Sequence, residues 1–173
     1  MRSRTRMEWR RDFDESEEPM TKREKFIIVV ADDDLDDQQI IKEGLQDCRV
    51  KVDINAVYNG LQLMDYLLAR EAYRNITEKP DLILLDLNMP LMDGFEVLKE
   101  IRLHEKLRKI PLYVITTSRS TDHKKKALEL GATGFYSKGA SPKDIRRIMQ
   151  EICRECFEPQ PSLDTEAAPA EEE

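Results

Sequence analysis

The sequence is poor in the residues that secreted, metal-scaffolded, membrane-spanning or nucleic-acid-binding proteins depend on. It holds three cysteines, two histidines, one tryptophan and six glycines in 173 residues. An odd, small number of cysteines in a chain long enough to build its own core argues against a disulfide framework, so Cys48, Cys153 and Cys156 are read as ordinary thiols. Cys153 and Cys156 stand three apart in a helical pattern, but there is no second pair and only His104 and His123 elsewhere, so no zinc site is expected. No apolar run approaches the roughly 18 residues of a membrane helix, and no apolar segment follows the opening arginines. Neither a membrane span nor a secretory signal is expected, and the expected compartment is the cytoplasm. Positive charge is not in excess either. With 28 Lys and Arg against 35 Asp and Glu, the formal net charge is -7, which repels a phosphate backbone on average and speaks against nucleic acid as a partner.

Hydrophobic residues make up 40% of the chain, enough for one core if the polar residues collect at the ends, and they do. Residues 1–25 are charge-rich with no apolar face, and read as a disordered or loosely attached extension. Residues 158–173 form a Pro/Ala/Glu tail with nothing to bury, also read as disordered. Between them, residues 26–157 alternate strand and helix five times. Phe-Ile-Ile-Val-Val-Ala at 26–31 is a short, β-branched, buried-strand pattern. A helix follows over 35–47 with Ile41, Leu45 and Cys48 at core spacing. A second strand is expected at 52–57, and after Asn59-Gly60 a helix with Leu61, Met64, Leu67 and Leu68 inward, ending near Tyr73. The third strand is the run Leu82-Ile83-Leu84-Leu85, with Asp86 at its end. Beyond it a helix begins near Gly94, a fourth strand lies at 112–116, and a helix starts after Thr121 and stops at Gly131. The fifth strand occupies 134–137. Ser141-Pro142-Lys143-Asp144 then opens a last helix with a capping box and Pro in its first turn. Such alternation predicts an α/β fold, a doubly wound (βα)5 arrangement with right-handed crossovers and helices on both faces of a parallel sheet.

In a sheet of this kind the ligand site lies outside the carboxyl ends of the strands. The residues there are Asp32-Asp33-Asp34 after the first strand, Asp86 at the third, Thr116-Thr117-Ser118 at the fourth and Lys138 after the fifth. Carboxylates crowded into one crevice disfavour joint ionisation, and a hard divalent cation relieves that. Oxygen ligands without His or Cys favour Mg²⁺, with Mn²⁺ as a substitute. One carboxylate can then attack phosphorus to form an acyl phosphate, with the metal, Lys138 and the Thr116 hydroxyl neutralising and orienting the phosphoryl oxygens.

Four stretches make the chain resemble a two-component response-regulator receiver domain over about residues 26–157. They are Val30-Ala31-Asp32-Asp33-Asp34, the run from Leu85 through Asp86-Leu87-Asn88-Met89-Pro90 to Asp93-Gly94, Val114-Ile115-Thr116-Thr117-Ser118, and Gly131-Ala132-Thr133-Gly134-Phe135-Tyr136-Ser137-Lys138. The resemblance implies a flavodoxin-like sheet with strand order 2-1-3-4-5. It implies that Asp86 accepts a phosphoryl group from a histidine kinase or a histidine phosphotransfer protein. It further implies that Asp33 binds Mg²⁺ directly, Asp32 directly or through water, and Asn88 through its backbone carbonyl. Thr116 and Phe135 take the places of the switch pair, Lys138 that of the phosphoryl-binding lysine, and Asn88 and Ser118 those that tune acyl-phosphate lifetime. The charged connections and the Thr-Thr-Ser run look most like single-domain regulators that partner phytochrome-type kinases. Such a protein is a phosphoacceptor rather than an enzyme, and its output is a protein contact through the face formed by the fourth helix, fifth strand and fifth helix. Lys124, Lys125, Lys126, Arg146 and Arg147 are expected as a basic patch there. One position departs from the family pattern: Gly139 follows Lys138 where proline is usual.

Blander and rival accounts exist for these residues. Acids after Ala31 suit a helix start, and Asp36 and Asp37 are read that way. Asp32, Asp34, Asp36 and Glu43 match calcium-loop positions, but Asp37 stands where such a loop needs Gly, and a strand precedes. An aspartyl phosphatase of the haloacid-dehalogenase type needs a second Asp two residues after its nucleophile, where this chain has Asn88. A folded but never phosphorylated scaffold is the remaining alternative.

Overall fold

The computed structural model describes residues 25–158. The expected N-terminal extension, save Lys25, and the acidic tail, save Glu158, lie outside them. Ten regular elements follow in order: β1 (Phe26–Ala31), α1 (Leu35–Gln46), β2 (Val52–Val57), α2 (Gly60–Leu67), β3 (Leu82–Leu85), α3 (Gly94–Leu103), β4 (Leu112–Thr116), α4 (Thr121–Glu129), β5 (Gly134–Ser137) and α5 (Pro142–Phe157). Short 3-10 turns at Glu71–Tyr73 and Leu107–Lys109 sit in the connections before β3 and β4. All strand pairs are parallel, and the sheet order is β2-β1-β3-β4-β5, the doubly wound, flavodoxin-like order expected.

Period-two alternation of the strands divides the core into two layers. Val29, Ala31, Ile83 and Leu85 point to the face covered by α2, α3 and α4, where they meet Leu63, Leu67, Val97, Leu98 and Ala127. Ile28, Val30, Leu82 and Leu84 point to the opposite face and meet Ile41 and Leu45 of α1 and Ile145, Ile148, Met149 and Ile152 of α5. β3 is wholly buried, which is why its four residues are apolar without alternation. Among the described residues no helix is long and apolar enough to cross a membrane.

Four expectations need correction. Cys48 and Cys153 are not ordinary thiols: they form a disulfide, with Cα atoms 6.2 Å apart. The cause is the closeness of α1 and α5. Gly44 leaves so little room that a Cβ there would lie 3.0 Å from Met149, and four residues further along each segment Cys48, just past the end of α1, comes over Cys153 of α5. Secondly, α2 ends at Leu67 rather than near Tyr73, because the chain reverses through Ala69 (φ 51°) and Glu71 (φ 49°), and its inward face carries Leu63, Met64 and Leu67 while Leu61, expected inward, is exposed. That reversal lays the Tyr73 ring edge-on against Tyr66, with centroids 5.5 Å apart. Thirdly, Arg146 does not belong to the α4–β5–α5 surface; its guanidinium pairs with Glu43 of α1. Within the same expected patch, Lys126 lies over the Phe95 ring, 4.1 Å from its centroid, and Arg147 pairs with Asp144 at 3.5 Å. The fourth correction, at Asp37, belongs with the site.

The α4 helix differs from its neighbours in burying one residue, Ala127. Its other attachments include the His123 ring edge-on to Phe95 at 5.5 Å, Lys126 over the same ring, and Arg102, which donates to the Glu129 carbonyl at 2.9 Å.

Candidate functional site

The register of the sheet brings three strand ends level. Ala31 lies opposite both Leu85 and Val57, and the following residues are tied across the strands: the Asp86 amide donates to the Ala31 carbonyl at 2.9 Å and the Asp32 amide to the Val57 carbonyl at 3.1 Å. On the other side the Lys138 amide donates to the Thr116 carbonyl at 2.8 Å. One crevice therefore receives Asp32, Asp33, Asp86, Thr116 and Lys138, as the strand-end reading expects.

Asp32, Asp86, Thr116 and Lys138 are all buried, at 1%, 6%, 0% and 4% exposure. Polar groups so placed are costly unless they are paired or used. Asp32 accepts from the Asp34 amide at 3.0 Å through Oδ1 and from Lys138 Nζ at 2.6 Å through Oδ2. Asp86 is left less satisfied. Its Oδ2 stands 3.6 Å from Lys138 Nζ, and its buried Oδ1 makes no hydrogen bond of good geometry, although the Thr116 hydroxyl and the Asn88 and Leu87 amides are near enough to favour the charged carboxylate. Asp33 is exposed, yet its carboxylate joins those of Asp32 and Asp86 in a cluster whose oxygens lie within 4.8 Å of one another. A buried, poorly paired carboxylate clustered with two others is a set of donors suited to a hard divalent cation.

The electrostatics agree. Burial pushes the Asp32 carboxyl up to about 6, with Lys138 acting against it. Burial likewise raises Asp86 above the usual carboxylate range, again opposed by the Lys138 charge. Burial alone would favour neutral Lys138, but its hydrogen bonds to Asp32 and Asp37 outweigh that and hold the ammonium above the ordinary lysine range. The site is short of positive charge even with Lys138 in it.

Asn88 is exposed on the loop two residues after Asp86. Leu91 in the same loop takes φ 68°, and the capping box of Asp93 and Glu96 then starts α3. Gly94 is required by close approach, since a Cβ there would lie 2.6 Å from the Asp86 carbonyl oxygen. Ser118 is half-buried; its amide donates to Thr116 Oγ1 at 3.4 Å and its hydroxyl lies 2.8 Å from His123 Nδ1. Phe135 is half-buried against the α2–α3–α4 side of the core, not in the crevice.

Two residues of the site were not expected from the sequence. Asp37, read as a helix-start acid, reaches Lys138 Nζ with its Oδ2 at 2.7 Å. Nothing local marks it out among Asp33, Asp34, Asp36 and Asp37. The acid that caps α1 is Asp34, which accepts from the Asp36 and Asp37 amides. Gln38 is buried and donates through Nε2 to the Asp32 and Val57 carbonyls, both at 2.9 Å, tying the ends of β1 and β2. A signal for Gln38 was present: it continues the Ile41, Leu45 stripe one turn earlier as a polar residue.

Gly139 takes φ 75°, which proline cannot adopt. Its place is bounded by the Asp144 carboxylate, which accepts from the Ala140 and Ser141 amides at 3.1 Å. The loop after β5 thus follows another path than a proline would set, and still delivers Lys138 to the crevice.

Comparison with known proteins agrees with this geometry. The family model described as the response regulator receiver domain matches residues 28–150. Response regulator Rcp1 of Synechocystis sp. is 33% identical over 126 residues, covering 73% of this chain and 85% of that protein. Among solved structures, the phosphorylated cyanobacterial phytochrome response regulator RcpA superposes with a TM-score of 0.73 at 32% identity, covering 77% of this chain and 94% of that one. The Mn(2+)-bound form of Rcp1 does so with a TM-score of 0.70 at 32% identity, covering 84% and 99%. With four matching strand-end motifs, a shared sheet order and a family match over most of its length, this chain belongs to the response regulator receiver domain family.

Proposed function

We propose that the chain acts as a response regulator of a two-component phosphorelay, that its receiver unit spans residues 26–157, and that Asp86 is its phosphoacceptor. The observation that carries this is the buried, poorly paired carboxylate of Asp86, clustered with those of Asp32 and Asp33 and with Lys138 beside it. A group so costly to bury is accounted for by a reaction that uses it.

In the reaction, an Asp86 carboxylate oxygen attacks the phosphorus of a phosphohistidine on a kinase or phosphotransfer protein. The P–O bond forms as the P–N bond breaks, and the imidazole leaves with the electron pair and takes up a proton. Asp32, Asp33, Asp86 and the Asn88 carbonyl would hold Mg²⁺ or Mn²⁺, which when bound supplies positive charge to the phosphoryl oxygens. Lys138 donates to a phosphoryl oxygen and balances the charge that burial makes costly. The Thr116 hydroxyl, held at the end of β4, donates to another. Asn88 and Ser118 flank the acyl phosphate and set how readily water reaches it.

The signal leaves through protein contact at the α4–β5–α5 surface. In support, α4 is tied to the core by a single buried residue, and its loop begins at Thr116. Thr116 and Phe135 form the switch pair: a shift of the hydroxyl toward the phosphoryl group leaves space that the half-buried Phe135 ring on the neighbouring strand enters.

Acetyl phosphate or phosphoramidate with Mg²⁺ provides the test. The expected result is a hydroxylamine-sensitive mass increase on Asp86 that is lost in Asp86→Asn. No increase in the wild type would mark a scaffold that is never phosphorylated. Steady release of phosphate from small esters would mark a phosphatase.

A further inference from the structure

Lys138 lies nearer to two other carboxylates than to the residue it is expected to serve. Its Nζ is 2.6 Å from Asp32 Oδ2 and 2.7 Å from Asp37 Oδ2, but 3.6 Å from Asp86 Oδ2. Both Asp32 oxygens are engaged, Oδ1 by the Asp34 amide and Oδ2 by this ammonium. Asp32 also belongs to the three-carboxylate cluster, so a cation entering that cluster competes with Lys138 for it.

Asp37 lies outside the cluster, in the first turn of α1, with its side chain 23% exposed. It gives the ammonium a second carboxylate that the cation does not need. The lysine backbone is fixed meanwhile, since its amide is bonded to the Thr116 carbonyl and Gly139 turns the chain away at φ 75°. The side chain must therefore find its partners within reach of that one anchor.

We propose that Asp37 is a positioning residue that acts through Lys138: it retains the ammonium when a divalent cation takes Asp32, and keeps it beside Asp86. Without Asp37, a buried ammonium has only Asp32 and Asp86 to pair with, and it holds Asp32 against the cation. This rests on the metal-binding part of the function proposed above.

A double-mutant cycle on Mn²⁺ affinity tests it, read by electron paramagnetic resonance of the free ion with no phosphodonor present. The proteins are the wild-type chain, Asp37→Asn, Lys138→Met and the double variant, with Asp37→Ser or Lys138→Ala replacing any variant without a cooperative melt. Removing a nearby negative charge weakens a cation in every background. The lysine-mediated part is lost once Lys138 is gone. We expect Asp37→Asn to weaken Mn²⁺ binding by a factor about three- to tenfold larger with Lys138 present than in the Lys138→Met background. Equal factors in the two backgrounds, or tighter binding in Asp37→Asn, would overturn the assignment. Absence of Mn²⁺ binding to the wild type would overturn it together with the metal reading. Failure of the phosphoacceptor reading is separate: it would appear as intact Mn²⁺ coupling with no modification of Asp86.

Discussion

Cleavage of the Cys48–Cys153 bond should cost this fold a measurable part of its stability. The bond joins residues 105 apart in sequence, so in the unfolded chain it closes a loop as long as most of the described unit. The chain-entropy relation gives about 4.8 kcal/mol at 25 °C for a loop of that length, and native disulfides of this kind contribute about 2–5 kcal/mol when removed. Unfolding entropy of about 2.1 cal/mol/K per residue over residues 25–158 amounts to roughly 0.28 kcal/mol/K, so 2–4.8 kcal/mol corresponds to a fall in Tm of about 7–17 °C. Cys48→Ala is the better perturbation, because Cys48 is half-buried whereas Cys153 is 1% exposed, and truncating the latter would add a cavity cost. Scanning calorimetry of the oxidised wild type, the reduced wild type and Cys48→Ala should place the last two together, well below the first. A gap under about 2 °C would refute the entropic reasoning. Three titratable thiols in unreduced, denatured protein would refute the bond itself. The bond also divides the molecule unevenly: it clamps α1 to α5, and leaves α4 held by one buried residue, the contacts of His123 and Lys126 with Phe95, and the Arg102 hydrogen bond.

Other consequences can be measured directly. Gly139→Pro, which restores the residue usual in the family, should destabilise this chain by about 2 kcal/mol or more, because φ 75° excludes proline; denaturant melts no weaker than wild type would contradict it. The Asp144 carboxyl is held below its usual range first by the Ser141 hydroxyl and then by the Ala140 amide. A carboxylate whose pKa falls on folding stabilises the fold above its unfolded value and loses that contribution as pH falls through its folded one. Tm of the wild type should therefore drop more steeply than that of Asp144→Asn below about pH 4, and parallel curves would count against the cap. His123→Ala should change global stability by less than about 1 kcal/mol while speeding hydrogen exchange of the α4 amides, since it removes the Phe95 ring contact and the Ser118 partner; unchanged exchange would show that α4 is held elsewhere. Gln38→Leu keeps the buried volume but strands the Asp32 carbonyl and leaves the Val57 carbonyl with the Asp32 amide alone, and should cost about 1–3 kcal/mol in a urea titration, with no loss counting against that tie.

What the sequence determined on its own is local or periodic. Strand runs such as Phe26–Ala31, the apolar stripes of α1 and α5 and the capping box at Ser141 are legible because each follows from the period of one element and the chemistry of its ends. Parallel alternation then puts Asp32, Asp33, Asp86, Thr116 and Lys138 at one edge of the sheet, and the four stretches that carry them mark the family resemblance. Only the tertiary structure decided the pairings between distant segments. Cys48 with Cys153, Asp37 with Lys138 and Arg146 with Glu43 are separated by 105, 101 and 103 residues. Each depends on how closely α1 lies against α5 and the end of β5, a distance set by side-chain volumes at Gly44 and Met149 rather than by any pattern along the chain. The same holds for Gly139, whose positive φ came from the packing of its loop on Asp144, and for Asp37, which no local property separates from the acids around it.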